Sequence, residues 1–287
     1  MSTFAPSAAA AWTPTRTLPR GSVTTPAGDL APARDAAFFD LDNTIVRGAS
    51  IFHLARGLYR RRCFTAKDIA GFAVKQARFR IGGSEDLDEI ATCTDRALGF
   101  VRGLRQADVI AAGEEIYDEV LAHKLWSGTV DIARRHLDAG HQVWLVTAAP
   151  AELSALVARR LGFTGGLGTV AEVDGGVYTG RLVGSTLHGP AKADAVRDLA
   201  RREHLDLAAC AAYSDSANDL PMLGAVGHPC AVNPDRRLAE HAARHGWATT
   251  DFRASRRATR VTKASIPAMA GIGAAAVGVQ LARHRHR

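Results

Sequence analysis

Residues Ala36–Val46 read AAFFDLDNTIV. An apolar run, Ala36–Phe39, leads into two aspartates, Asp40 and Asp42, with Leu41 between them and a polar turn, Asn43-Thr44, behind. One aspartate at a strand end is ordinary, because aspartate favours turns and helix caps. Two at alternate positions of an extended segment point to the same side. Carboxylates that close together repel each other unless a cation or a shared proton intervenes. The pair therefore predicts a metal ion, a shared proton or a phosphoryl group, with a solvated turn as the plain alternative.

Three more apolar segments resemble Ala36–Phe39: Gln142–Val146, Ala208–Tyr213 and Pro229–Val232, each closed by a polar cluster. Helical patterns lie between them at Gly128–Ala139, Ala151–Leu161 and Lys192–Arg201. Strands alternating with helices predict an α/β fold with a parallel sheet. Ligands in such sheets gather beyond the carboxyl ends of the strands, where the polar clusters fall. The stretch 47–125 interrupts the alternation and reads as mostly helical, so it is expected to be an inserted cap. A shorter insert, AEVDGGVYTGRLVG, alternates about Asp174-Gly175-Gly176 and reads as a hairpin. The expected organisation is a leader over 1–33, a core made of 34–46 and 126–253, a helical cap over 47–125 and a basic tail over 254–287. The leader is rich in Ala, Pro, Thr and Ser, lacks the apolar core of a secretory signal and reads as disordered.

Composition narrows the classes of function. The four cysteines, Cys63, Cys93, Cys210 and Cys230, form no CxxC pair, which suits reduced thiols in a cytoplasmic protein. A formal net charge of +7 favours anionic partners. Aromatic residues make up only 6% of the chain and no nucleic-acid-binding motif occurs, so base-stacking platforms are not expected. The run from Ala264 to Ala282 carries no charge and lies between basic flanks. It approaches the length of a membrane span, but it is rich in Ala and Gly and holds Pro267 and Gln280. It is read either as a tail that contacts an anionic membrane surface or, with slight preference, as a disordered extension.

The polar clusters carry a consistent chemistry. Asp40 and Asp42 follow the first strand, and Thr147 follows the second in VWLVTAAP. Lys192 opens a helix in GPAKADAV, and Asp215, Asn218 and Asp219 follow the third strand in YSDSANDLPML. Each has an ordinary explanation singly: Thr147 as a cap, Lys192 as a surface lysine, the aspartates as turn residues. Together they converge on one edge of one sheet. An aspartate nucleophile splits phosphoester hydrolysis into two easier steps, and a second carboxyl group protonates the leaving oxygen and then activates water. Magnesium takes carboxylate oxygens and water and offsets the negative charge. A hydroxyl and an ammonium hold phosphoryl oxygens.

With the motifs DLDNT, VTAAP, GPAKADAV and SDSANDLPML in this order, the chain resembles haloacid-dehalogenase-like hydrolases, in the branch of phosphoserine-phosphatase-like enzymes. The resemblance covers roughly 35–253. It implies a Rossmann-like core with a helical cap, Asp40 as nucleophile and Asp42 as general acid and base. It further implies that Thr147 and Lys192 bind phosphate, with Asn218 on the phosphate side or just behind it. Mg2+ would be held by the set Asp40, Asp42 (through its carbonyl), Asp215 and Asp219, the last supporting metal waters or Lys192. The implied function is Mg2+-dependent hydrolysis of a small phosphate monoester through an aspartyl phosphate. Phosphoserine phosphatases of the family carry a glutamate for the substrate ammonium soon after the first motif. Here that place falls near Ala49, and no carboxylate occurs between Asp42 and Asp68, which argues against phosphoserine.

Rival readings are a catalytically idle binding protein of the same fold and a phosphatase acting on a lipid or polyanionic phosphate at a membrane. The second is suggested by Arg47, Arg56, Arg60, Arg61, Arg62, Lys67, Lys75, Arg78 and Arg80, which face only Asp68 in sequence. A solvated helix face is the plainer explanation of that run. A receiver-type signalling domain fits worse, since it places its acidic pair and its phosphoacceptor on different strands.

Overall fold

The computed structural model describes residues 35–61 and 101–253. The sheet is built on β1 (Ala36–Phe39), whose four residues are all buried. A strand covered on both faces reads as an unbroken apolar run, which is why AAFF shows no alternation. Phe38 and Phe39 enter opposite cores. The remaining strands are β2 (Gln142–Pro150), β3 (Gly165–Thr169), β6 (Ala211–Ser214), β7 (His228–Val232) and β8 (Ala248–Thr250). All pair in parallel in the order β3-β2-β1-β6-β7-β8. Phe39 lies level with Leu145 of β2 and Tyr213 of β6. The order reverses at β1, and the crevice at such a reversal is the usual ligand site of an open α/β sheet.

Helices cover both faces. On one side are α1 (Ser50–Arg60), α2 (Gln106–Ile116), α3 (Ser127–Asp138) and α4 (Ala151–Leu161), which contribute Leu54, Ile116, Ala133 and Val157 to the core around Phe39. A π turn, Tyr117–Leu121, and a 3-10 turn, Ala122–Lys124, continue α2. On the other side α5 (Pro190–Glu203), α6 (Leu220–Leu223) and α7 (Arg236–His245) place Leu199, Met222 and Leu238 against Phe38. An antiparallel pair, β4 (Ala171–Asp174) and β5 (Val177–Leu182), forms the hairpin expected around Asp174-Gly175-Gly176. Both turn glycines have positive φ, 54° and 82°, a region that costs most other residues free energy.

The structure differs from the sequence reading in several elements. β2 runs on from Val146 to Pro150. β6 starts at Ala211 and not Ala208, because Asp206 ties down the preceding turn: its side chain accepts from the Ala208 N–H (3.0 Å) and its carbonyl from the Ala209 and Cys210 N–H groups. β3 and β8 were not anticipated. β3 reads GGLGT, poor in strand formers, yet its glycines are required by packing. A Cβ on Gly165 would lie 2.5 Å from the Trp144 ring, and one on Gly168 would lie 2.7 Å from the Ala151 backbone. Within the expected cap, the helical reading over 66–80 and all but the last four residues of that over 86–104 lie outside the described residues, as do the leader and the tail over 254–287. Among the described residues no helix is long and apolar enough to cross a membrane.

Candidate active site

The site grows from the carboxyl end of β1. The Asp40 N–H donates to the Tyr213 carbonyl (2.9 Å), which extends the ladder by one bond and seats Asp40 beside Ser214. The chain then turns through Asn43, which adopts a left-handed φ of 58° that asparagine tolerates. The Gly48 N–H donates to Asn43 Oδ1 (2.9 Å) and the Ser50 N–H donates to Asp42 Oδ1 (2.8 Å). The first turn of α1 therefore holds the second aspartate. Its free N–H groups and positive dipole end suit a carboxylate there.

Lys192 is brought in by α5. Gly189 before it has φ 54° and ψ −122°, a conformation open in practice only to glycine, and Pro190 starts the helix. That turn drives Lys192 inward until it is 3% exposed. Its Nζ donates to Asp40 Oδ1 (2.6 Å) and to Asp219 Oδ2 (2.8 Å). Ser214 Oγ also donates to Asp219 Oδ2 (2.7 Å). A lysine buried between two carboxylates is a fixed charge, since neither partner can leave without exposing the other.

The remaining expected residues lie around this triad. Thr147 is buried on β2, just beyond the level of Asp40, and its Oγ1 accepts from the Ala149 N–H (3.1 Å). Asp215 follows β6, half-buried, with Thr44 Oγ1 at 3.5 Å from its Oδ1. Asn218 sits on the exposed side of the 3-10 turn Ala217–Asp219. Asp40, Lys192 and Asp219 thus touch directly, Asp42, Thr147 and Asp215 flank them, and Asn218 stands at the rim.

Several supporting residues escaped the sequence reading. Asp235 caps α7 through the Leu238 N–H (2.7 Å), and its other oxygen accepts from the Ala217 N–H (2.8 Å). Its own N–H donates to the Asp215 carbonyl (2.7 Å), so one residue braces the Asp215–Asp219 loop at its start and at its middle. The Pro-Asp ahead of an amphipathic run was a legible cap signal. Asn233, with φ 49°, donates from Nδ2 to the Asn43 carbonyl (3.3 Å) and ties the β7 loop to the β1 loop. Ser214 gave no separate signal, being one of two serines in YSDSAND.

The electrostatics are lopsided. Burial pushes Asp40 up to about 8, against the pull of Lys192 and with Asp219 and Asp42 adding to the rise. Asp42 is raised by burial, opposed by Ser50, whose N–H donates to it. Asp215 is pushed up to about 7 by burial and then by the Asp219 charge. Burial pulls the Lys192 ammonium down, but Asp40 and Asp219 more than offset it, so the lysine stays charged. Four carboxyl groups here outnumber one ammonium, and the site is short of positive charge. That shortage and an all-oxygen donor set fit a hard divalent cation such as Mg2+. No group of three or more His, Cys, Asp or Glu side chains arranged to hold a metal occurs among the described residues. Magnesium does not need one, because it binds through one or two carboxylates and keeps several waters. Lys192 engages one oxygen of Asp40 and one of Asp219, so the second oxygen of each and the carboxyl group of Asp215 are the side-chain donors available to a cation.

Comparison with known proteins gives a consistent result. The family of haloacid dehalogenase-like hydrolases matches residues 37–224. Phosphoserine phosphatase SerB1 of Mycobacterium tuberculosis is 52% identical over 240 residues, covering 84% of this chain and 77% of that protein. A crystal structure of a Bordetella pertussis protein of unknown function superposes with a TM-score of 0.67 at 30% identity, covering 76% of this chain and 99% of the other. An apo phosphoserine phosphatase shares the fold with a TM-score of 0.51 at 21% identity, over 72% of this chain and 90% of that one.

Proposed function

The chain belongs to the haloacid dehalogenase-like hydrolases, and on that premise we propose that it is a Mg2+-dependent phosphatase that hydrolyses a small phosphate monoester through Asp40. The observation that carries this reading is the contact of Lys192 with both Asp40 (2.6 Å) and Asp219 (2.8 Å) at the point where the strand order reverses. An idle binding protein would not need a carboxylate buried at that cost beside a second, separately held carboxyl group.

In this mechanism Lys192 occupies Oδ1 of Asp40, and the other carboxylate oxygen attacks phosphorus. As the new O–P bond forms, the ester O–P bond breaks, and Asp42 gives its proton to the departing oxygen. The raised pKa of Asp42 suits a group that must hold that proton. Asp42, now ionised, takes a proton from water, whose oxygen attacks phosphorus and releases inorganic phosphate from Asp40. Lys192 and Thr147 hold the phosphoryl oxygens, with Asn218 at the rim, and Asp219 fixes Lys192. Bound Mg2+, held by Asp40, Asp215 and the Asp42 carbonyl, would neutralise the charge that gathers on the phosphoryl group. α1 carries no carboxylate to meet a substrate ammonium, so the leaving group differs from serine.

Phosphate release from aryl phosphates of graded leaving-group acidity tests this reading. Wild-type enzyme should turn over with Mg2+ and stop with excess chelator. Asp42→Asn should lose on the order of 10²–10⁴ in rate for poor leaving groups and much less for good ones. Chelator-resistant turnover, or an equal loss across the series, contradicts the assignment.

A further inference from the structure

Resting on the phosphomonoesterase reading, we infer that the leaving group of the natural substrate carries net negative charge and is bound by His53, Arg56 and Lys124. Basic side chains gather about the link from Asp42 into α1: Arg47 within it, His53 and Arg56 on α1, and Lys124 opposite Arg47. Ser50 N–H fixes Asp42 Oδ1 (2.8 Å), so the start of α1 lies against the general acid. His53 follows on α1, with its Nε2 3.3 Å from the Arg47 carbonyl oxygen. Lys124 lies across Arg47, and its carbonyl accepts from the Arg47 N–H (2.8 Å) and Nε (3.1 Å). Arg56 is three residues beyond His53 and so shares its side of the helix.

In their pairing Arg56 and Lys124 differ from arginines elsewhere on the described surface. Arg61 pairs with Glu115 and Glu119, and Arg160 pairs with Glu114 and Asp118. Among the described residues neither Arg56 nor Lys124 pairs with a carboxylate, and the Arg47 guanidinium meets two carbonyls and the Trp126 ring. The Lys124 and Arg56 fields overlap at His53, which in turn acts on Asp42. His53 is held below its usual value by burial and the Lys124 charge, with Asp42 pulling the other way and Arg56 adding to the depression. A solvated basic face explains a scattered charge run. It does not explain unpaired cations gathered beside the one group that must protonate the leaving oxygen. A substrate ammonium would be repelled there, whereas a carboxylate or second phosphate would complete the pairing.

Three matched aryl phosphates test the inference: phenyl phosphate, its meta-carboxylate derivative and its meta-trimethylammonium derivative. At low salt the wild-type kcat/KM should favour the carboxylate over the ammonium compound by about tenfold or more, the scale of a few partly exposed charge pairs. The preference should shrink as ionic strength rises past about 0.15 M. In the double variant Arg56→Gln, Lys124→Gln, the ratio of the two kcat/KM values should fall toward one, with melting curves confirming the fold. Wild-type turnover without charge preference, or a ratio that survives the double substitution, overturns the inference alone. No wild-type turnover of any of the three overturns the phosphomonoesterase reading and this inference with it.

Discussion

Asp40→Asn is expected to lower phosphatase turnover by about 10⁴-fold or more, because an amide oxygen cannot form the covalent intermediate. The fold should survive. Burial already pushes the Asp40 carboxyl up to about 8, so the structure tolerates a neutral group in that place. The amide oxygen still accepts from Lys192, which keeps Asp219 (2.8 Å) as its ion-pair partner, so no buried charge is left unpaired. The unfolding free energy should therefore stay within about 1 kcal/mol of wild type, the scale of one exchanged hydrogen bond. Steady-state kinetics and urea unfolding on the same preparation check both halves. Turnover close to wild type removes Asp40 from the mechanism.

Lys192→Met should damage both activity and stability. Lys192 is 3% exposed, and its ammonium bridges Asp40 and Asp219. Removing it leaves two buried carboxyl groups unpaired, and breaking a buried ion pair from one side costs about 3–5 kcal/mol. The same change removes a charge aimed at the phosphoryl oxygens, worth about 10²–10³ in kcat for a preorganised donor. The contrast with Asp40→Asn is diagnostic: one substitution silences a stable protein, the other weakens the protein as well. A stable, active Lys192→Met variant would place the lysine outside the site.

Legibility in the sequence followed physical causes. The helix Ala151–Leu161 was readable to the residue, because Pro150 precedes it and Gly162, at φ 72°, ends it. β1 was readable because a doubly covered strand is apolar throughout. β3 was not, because its glycines are selected by Trp144, Ala149 and Ala151 packing against them, contacts absent from any local pattern. Asp40 and Asp42 announced themselves as carboxylates at alternate positions, in the wrong place for a core. Lys192 was placed at a helix start, but its bond to Asp40, 152 residues away, depends on the parallel sheet bringing α5 under β1. The sequence left Asp219 between metal waters and the lysine, and the structure puts it on the lysine. Asp235 and Asn233 act by bracing loops, a role that only tertiary contacts reveal.

The central claim is that a phosphoryl group passes through Asp40. Rapid acid quench during turnover of an aryl phosphate, followed by digestion and mass spectrometry, tests it directly. The Asp42→Asn variant, slowed in activating water, should be run beside wild type to lengthen the life of the intermediate. The expected result is a hydroxylamine-labile phosphoryl group on the peptide containing Asp40, more abundant in the variant and absent from Asp40→Asn. Phosphate release with no labelled peptide in either active protein, or with the label on another residue, would contradict the account.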